Sequence, residues 1–441
     1  MAKTANQSFG ISLPAWNKAV ESINPETHAS FANLPWYPWW VRRQIRDQPP
    51  RLRLALPNGG CASGWDWDTH LLPLWNKVQE LILVSGLRTI DDIVNALIDI
   101  DLISANGSYE AMQSAKDIVF SILGWQTMLY KPNFLDGPSG DFTIVDEMQG
   151  HHGDSHVRSS QISLASKRDL PNFLLGFGMM LPPRDYCAFG DTDDEKQLFH
   201  KTKAIMAKNL NAHVLSKVCG LSLKWVDSVS CHLELDKISG TLFLFRYPSF
   251  CISNLQARES REWHRMSSIY GCAVEAFGHV PWANEEDITE LLQEILLSYR
   301  LLFGQSRRSR SLFRRLRPFA RVPQEEHDRV LSLICGKKRF RSSITMTERE
   351  EYVLASDFPH LRSRMVRLNT YATSKKPHSI RQLWRDKRDS TAWLAFWSVL
   401  VFGSMSIVLG VIQTVLQIMQ YVLTLQQAKT SSDRMSSRDG T

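Results

Sequence analysis

The strongest constraint in this chain is a stretch without charge: from Thr391 to Ala428 there is no Asp, Glu, Lys or Arg. Within it, Ala392 to Ile412 is apolar apart from Ser398, Ser404 and Ser406, with Gly403 and Gly410 interspersed. About 20 such residues, at about 1.5 Å rise each, cross a hydrocarbon layer about 30 Å thick. A soluble helix seldom stays apolar on every side for so long, so the segment predicts one membrane-spanning helix. Trp393 and Trp397 at its start and Tyr421 at its end suit the headgroup level, where amphipathic rings settle. The span and its extension are assigned to 391–423, and a short polar tail to 424–441.

The flanks predict an orientation. Arg381, Arg385, Lys387 and Arg388 precede the span, while the tail carries Lys429, Arg434 and Arg438, so the N-terminal side is expected in the cytosol. A span so late in the chain implies late or post-translational insertion, as in tail-anchored proteins. The start, MAKTANQSFGISLPAW, has neither the apolar core of a secretory signal nor an Arg-rich amphipathic presequence. The lipid bilayer is therefore the first expected partner, and which membrane stays open. Past Ile412, Gln413, Gln417 and Gln420 fall on one helical face. In lipid each amide needs a partner, so this stripe, with Ser406 and Gly410 as a small-xxx-small contact, offers self-association or a protein partner. The simpler expectation is that the helix has already left the hydrocarbon by Gln413, since 392–412 is long enough.

The remaining chain has the makings of a folded body. With 441 residues, 43% hydrophobic and 22% charged, it suits two or three globular domains and not a disordered chain. The net charge of +7 is modest and patchy, which favours anionic partners without naming one. Seven cysteines, Cys61, Cys187, Cys219, Cys231, Cys251, Cys272 and Cys335, are odd in number, far apart and without a Cys-x-x-Cys pair, which predicts a reducing compartment.

Residues 1–68 form a Pro/Trp-rich arm centred on Leu34-Pro-Trp-Tyr-Pro-Trp-Trp-Val-Arg-Arg43, where prolines are expected to block a continuous helix. Its tryptophans are expected to clamp the arm to the core, with a membrane-interface role for Trp36–Trp40 as the alternative. Residues 69–303 are assigned to a helical cytosolic domain. Helical periodicity marks His70–Val84, Thr89–Asp101 and Ser108–Leu123, with Thr89 and Ser108 as caps and Gly124 as a stop. A polar, Gly-rich stretch from Tyr130 to Pro171 predicts a long loop, and a helix is expected from about Asp193 towards Val218. The hairpin signal, near 231–246, is Cys231–Asp236 and Thr241–Arg246 around a Gly-containing turn. Asn284 suits the N-cap of a helix whose Ile288, Leu291, Leu292, Ile295, Leu296 and Tyr299 share one face. The fold class expected is mainly α with a small β-hairpin (α+β), a soluble helical domain plus one transmembrane helix.

Residues 304–390 are assigned to a basic juxtamembrane region containing Arg307-Arg-Ser-Arg-Ser-Leu-Phe-Arg-Arg-Leu-Arg317 and Lys337-Lys-Arg-Phe-Arg341. A solvated loop is the first expectation for the former. Contact of Arg307, Arg308, Arg310, Arg314 and Arg315 with anionic lipid headgroups, helped by an apolar edge of Leu312, Phe313 and Leu316, is the second. Nuclear import and RNA binding rank lower, so nucleic acid is not an expected partner.

Motifs for chemistry are sparse. His151, His152 and His156 with Asp154 match neither helical His-x-x-x-His nor zinc-finger spacing and lie in the Gly-rich stretch, so no metal and no cofactor are expected. There is no Gly-x-Ser-x-Gly elbow, protease cysteine signature, P-loop or dinucleotide fingerprint. Spatially assembled acids and histidines are not excluded by this, because catalytic groups need not be neighbours in sequence. Asn6-Gln-Ser and Asn106-Gly-Ser are sequons that would face the cytosol.

Three segments, Ser298-Tyr-Arg-Leu-Leu-Phe-Gly-Gln305, Asp357-Phe-Pro-His-Leu361 and Leu383-Trp-Arg-Asp-Lys-Arg-Asp389 leading into Trp393-Leu-Ala-Phe-Trp397, resemble a group of uncharacterised filamentous-fungal membrane proteins. Phe245-Arg-Tyr-Pro-Ser-Phe-Cys251 looks similar too. The resemblance implies a C-terminal membrane anchor and carries no established activity. The expected role is a membrane-tethered interaction or accessory protein; the alternatives are an anchored enzyme with an unrecognised site, or an oligomeric channel or transporter component.

Overall fold

The computed structural model describes residues 34–57, 71–86, 89–104, 108–134, 140–148, 160–178, 181–185, 193–261, 266–273, 284–340, 344, 346–375 and 390–436. The chain divides into two units, Met1–Lys376 and Pro377–Thr441. Architecture is mainly α with small sheets, as the periodicity indicates.

The arm begins the first unit with a helix, α1 (Tyr37–Arg46), which the prolines do not prevent. Pro38 sits in the first turn, where its missing N–H has no helical acceptor to lose. Trp36 and Trp40, each 1% exposed, clamp this segment inward. Trp36 stacks on Tyr247 at 3.9 Å between ring centroids, and its Nε1 donates to Ser249 Oγ at 2.8 Å. Trp40 Nε1 donates to the buried Asp227 Oδ2 at 3.2 Å.

Three helices follow, α2 (Leu72–Leu83), α3 (Ile90–Asp99) and α4 (Tyr109–Thr127). Thr89 caps α3 by accepting the Asp92 N–H, whereas the Ser108 side chain makes no cap bond. Gly124 does not stop α4. It makes room instead: a Cβ there would lie 2.6 Å from the Tyr130 ring, and the helix ends at Met128, whose backbone is left-handed at φ 52°.

The expected long loop contains a short antiparallel pair, β1 (Phe142–Thr143) with β2 (Ser160–Gln161), and then α5 (Leu170–Leu175). The single helix expected from Asp193 to Val218 is broken into α6 (Asp193–Lys201), β3 (Ala204–Met206) and α7 (Ala212–Lys217). Residues 204–206 take their hydrogen bonds from β7 (Glu351–Val353), a partner far away in sequence that overrides local helix preference.

The hairpin exists, with a shorter first arm than expected. Only β5 (Leu235–Asp236) pairs with β6 (Thr241–Phe245), because Leu233 adopts φ 62° and Val229–Cys231 is a 3-10 turn. The turn closes on Asp236, whose carboxylate accepts Ile238 N at 2.9 Å and Ser239 N at 3.1 Å, and Gly240 follows at φ 63°. A third strand, β4 (Ser222–Val226), runs parallel to β6 on its other side, so fully buried β6 is central.

The C-terminal half of the unit is built on α8 (Pro248–Glu259), α9 (Ile269–Cys272) and α10 (Glu285–Tyr299). Asn284 and Asp287 form a reciprocal capping box at the start of α10, whose expected apolar face is buried throughout. α10 continues into a π-helical turn, Arg300–Gly304, and then come α11 (Arg307–Leu316), α12 (Arg329–Gly336), α13 (Leu354–Asp357) and α14 (Arg362–Ser374). One hydrophobic core runs from Leu34 to Ala372.

Arg300 holds the π turn in place. Fully buried, it donates to the carbonyls of Ile334, Lys337 and Lys338 at 2.6, 2.9 and 2.8 Å and pairs with Glu348. A Cβ on Gly304 would strike this guanidinium. Arg300→Met is therefore expected to cost about 3–5 kcal/mol, by leaving buried carbonyls unsatisfied, and Gly304→Ala about 1–3 kcal/mol, by overpacking. Thermal unfolding of the full chain in detergent measures both; losses below about 1 kcal/mol would mean that water can replace the guanidinium.

Candidate functional site

The second unit contains one described helix, α15 (Ser390–Ser436), of which Leu394–Lys429 is long and apolar enough to cross a membrane. It carries Trp393, Trp397, Gly403, Gly410 and Tyr421 along one continuous helix; the Trp393 side chain lies outside those described. The helix does not pause at Ile412 or at residue 423. Its serines satisfy themselves, since Ser398, Ser404 and Ser406 hydroxyls donate to Ala395, Val401 and Phe402 carbonyls at 2.8, 2.9 and 2.9 Å. Gln413, Gln417 and Gln420 are exposed.

The basic segment is helix α11, not a loop. Ser306 accepts the Ser309 N–H as its N-cap, and Leu312 and Phe313 are buried, with Phe313 packed edge-on against Phe303 at 5.5 Å. The apolar edge thus belongs to the core. Arg307, Arg308, Arg314 and Arg315 are exposed on the opposite face, while half-buried Arg310 is tied to the carbonyls of Gly304 and Gln305. The His151, His152, His156 and Asp154 cluster lies outside the described residues.

The arrangement that sequence alone does not reveal lies where α10 meets the turn between α13 and α14. Asp287, Glu290 and Glu294, spaced three and four residues apart, share a face of α10. Glu294, 3% exposed, accepts the N–H groups of His360 at 2.9 Å and Leu361 at 2.7 Å. Burial raises its carboxyl well above the usual carboxylate range, against the pull of those two bonds.

The His360 ring, with its residue 3% exposed, points between the other two acids. Its Nδ1 lies 3.0 Å from the Pro182 carbonyl, and its Nε2 lies 3.4 Å from Glu290 Oε2 and 3.6 Å from Asp287 Oδ1. Nε2 makes no hydrogen bond. Asp287 keeps its other oxygen on the Asn284 N–H, and Glu290 meets Arg184 at 2.9 Å in an ion pair exposed enough to be worth only about 0–1 kcal/mol. Segment 181–185 is fastened to the turn by the Asp185 N–H to the Pro359 carbonyl at 2.8 Å and by Arg362 to Asp185 at 2.7 Å. The sequence signal for this site is slight: the quoted segment Asp357–Leu361 and an acidic face on a helix read only for its core side.

Other ionisable clusters are internally paired. Buried Asp227 meets Lys131 at 2.9 Å, Arg246 at 2.6 Å and Trp40, and Lys131 also meets Glu147 at 2.7 Å. Burial alone would raise Asp227, but Lys131 and Arg246 outweigh it and bring the carboxyl down to about 2. Among the described cysteines, all free, burial pushes the Cys231 thiol up to about 12 and raises Cys251 and Cys335 as well, which removes the thiolate a nucleophile needs.

His232 is locked in one neutral form. Nδ1 accepts the Phe245 N–H at 3.2 Å, so Nε2 donates to Ser298 Oγ at 2.7 Å, and that hydroxyl passes its own proton to the Ile295 carbonyl. Burial, then nearby Arg364, lowers the ring from 6.5 to about 3. Between those values the unfolded chain holds the extra proton, so this stability is complete above pH 6.5 and is lost as pH falls towards 3. Asp117, raised by burial to about 6, acts in the opposite sense over pH 3.8 to 6. His232→Gln should therefore flatten the fall of unfolding free energy on acidification, relative to the parent, by about 1.4 kcal/mol per pH unit, read from denaturant titrations between about pH 6 and 4. Equal slopes in both proteins would place the missing proton elsewhere.

No protein-family model, curated protein or solved structure matches the chain.

Proposed function

We propose that the chain is a single-pass membrane protein whose folded unit faces the cytosol and acts as a membrane-tethered interaction or accessory protein. The observation that carries this is α15, an apolar helix with its serines internally bonded. Arg381, Arg385, Lys387 and Arg388 before it support the cytosolic orientation, and the likeness to filamentous-fungal anchored proteins supports the same architecture.

Deleting residues 377–441 should move the protein into the soluble fraction, and a glycosylation acceptor appended after Thr441 should be modified while Asn106 is not. Retention of the truncated chain through alkaline extraction, or modification at Asn106 alone, would reverse the reading.

The folded unit contacts anionic lipid headgroups through the exposed guanidinium groups of α11, by charge alone, since Leu312 and Phe313 are committed to the core. Changing Arg307, Arg308, Arg314 and Arg315 to Gln in the chain lacking 377–441 should weaken binding to phosphatidylserine vesicles by about 3–4 kcal/mol, at about 1 kcal/mol per charge. Raising salt to about 1 M, where the Debye length is about 3 Å, should do the same. Vesicle binding indifferent to both would remove α11 from the contact.

A further inference from the structure

We propose that Asp287, Glu290 and His360 bind one divalent first-row transition-metal cation, for which Zn2+ is the best match. A carbonyl oxygen only accepts hydrogen bonds, so His360 Nδ1 must donate to Pro182. A ring that carries only that proton presents the lone pair of Nε2 towards two carboxylates, inside a wall of protein. Three electron-rich atoms facing one another repel; Arg184 Nη1, 2.9 Å from Glu290 Oε2, offsets this at one of them, and a cation between the three would offset it at all.

The spacing selects a metal ion over a shared proton. Nε2 stands 3.4 and 3.6 Å from the carboxylate oxygens, beyond the about 2.7–3.2 Å of an N–H···O bond. A tetrahedral cation with ligands at about 2.0–2.2 Å sets neighbouring donor atoms about 3.3–3.6 Å apart. All three donor atoms lie within 4.8 Å of one another.

The surroundings are those of a prepared site. The Nδ1–H bond to a carbonyl fixes the ring plane and leaves Nε2 as the ligand atom. Glu294 holds the backbone of His360 and Leu361 with both oxygens. Asp287 is steadied through its second oxygen by Asn284. Two carboxylates and a neutral imidazole carry the charge that a divalent ion cancels. Arg184, 52% exposed, donates to both oxygens of Glu290, Oε2 at 2.9 Å and Oε1 at 3.2 Å, so a metal ion would compete with it for Oε2. Because Asp287 and Glu290 are only half-buried, an outward coordination position remains for water. One imidazole with two carboxylates suits Zn2+ better than Mn2+ in affinity, and Ca2+, which takes about 6–8 oxygens, is not served by it.

The full chain in detergent, stripped with a chelator, is titrated calorimetrically with Zn2+, Mn2+ and Ca2+, and its Co2+ visible spectrum is recorded. Other histidines and cysteines can take Zn2+, so the decisive quantity is the difference between parent and variants. Glu290→Gln, a half-exposed position whose loss spares the core, should weaken one Zn2+ equivalent at least about tenfold, and His360→Asn should abolish it. Arg184→Ala should leave that equivalent as tight or tighter. The Co2+ form should show d–d bands that disappear in Glu290→Gln, without thiolate charge-transfer absorption. A folded Glu290→Gln protein that binds Zn2+ within twofold of the parent overturns the proposal. So does a parent that takes up no Zn2+ at micromolar concentration, which would assign a proton to the gap. Should His360→Asn fail to fold, Glu290→Gln alone decides.

Discussion

The buried carboxylate of Glu294 accepts two backbone N–H groups from the start of α14, across 66 residues of sequence. Removing that acceptor would leave two donors without partners in a place water does not reach, so α10 and α14 cannot separate without a large penalty. The same helix buries Ile288, Leu291, Leu292, Ile295, Leu296 and Tyr299 on its other side. α10 is thus held by apolar area on one face and by a buried, doubly hydrogen-bonded carboxyl group on the other. Its continuation into the π turn then delivers Arg300 to three carbonyls near the end of α12. Each of these later elements takes its place from α10.

Charge inside this domain is used to define positions. Asp227 brings together Trp40 of the arm, Lys131 after α4 and Arg246 after β6, three points with no local relation. Arg364 and Glu234 do likewise for α14 and the strand-bearing region at 2.8 Å. Apolar replacements of such groups can be as stable, but a half-removed set is not, so each set admits one arrangement of its elements. The Nε2 of His360 differs from these pairs in facing two carboxylate oxygens at 3.4 and 3.6 Å without a hydrogen bond.

What is legible in the sequence is what is local. The capping box at Asn284 and the face from Ile288 to Tyr299 lie within a few turns of one helix, and the Asp236–Gly240 turn carries its own chemistry. Residues 204–206 fail for the opposite reason, since β7 lies about 150 residues away and supplies the hydrogen bonds that decide the conformation. Gly124 misleads because glycine serves two purposes, and here a neighbouring ring needs the space. In α11, Arg dominates the composition and suggests a loop, while Ser306, Leu312 and Phe313 carry the weaker helical pattern that the core enforces. The His360 site needed three chain segments to converge, and no spacing in the sequence encodes that.

The length of α15 has a mechanical corollary. The 36 residues of Leu394–Lys429, which take in Gln413, Gln417 and Gln420, measure about 54 Å at about 1.5 Å per residue. A tilt of about 40°, the steep end of the usual range, shortens that to about 41 Å, still well beyond a hydrocarbon layer of about 30 Å. Leaning over cannot conceal the excess. In a bilayer that holds 392–412, the turns beyond Ile412 would extend past the lipid tails, and their mixed surface, Gln413, Gln417 and Gln420 among Val, Leu and Ile, suits the headgroup region or the side of another helix.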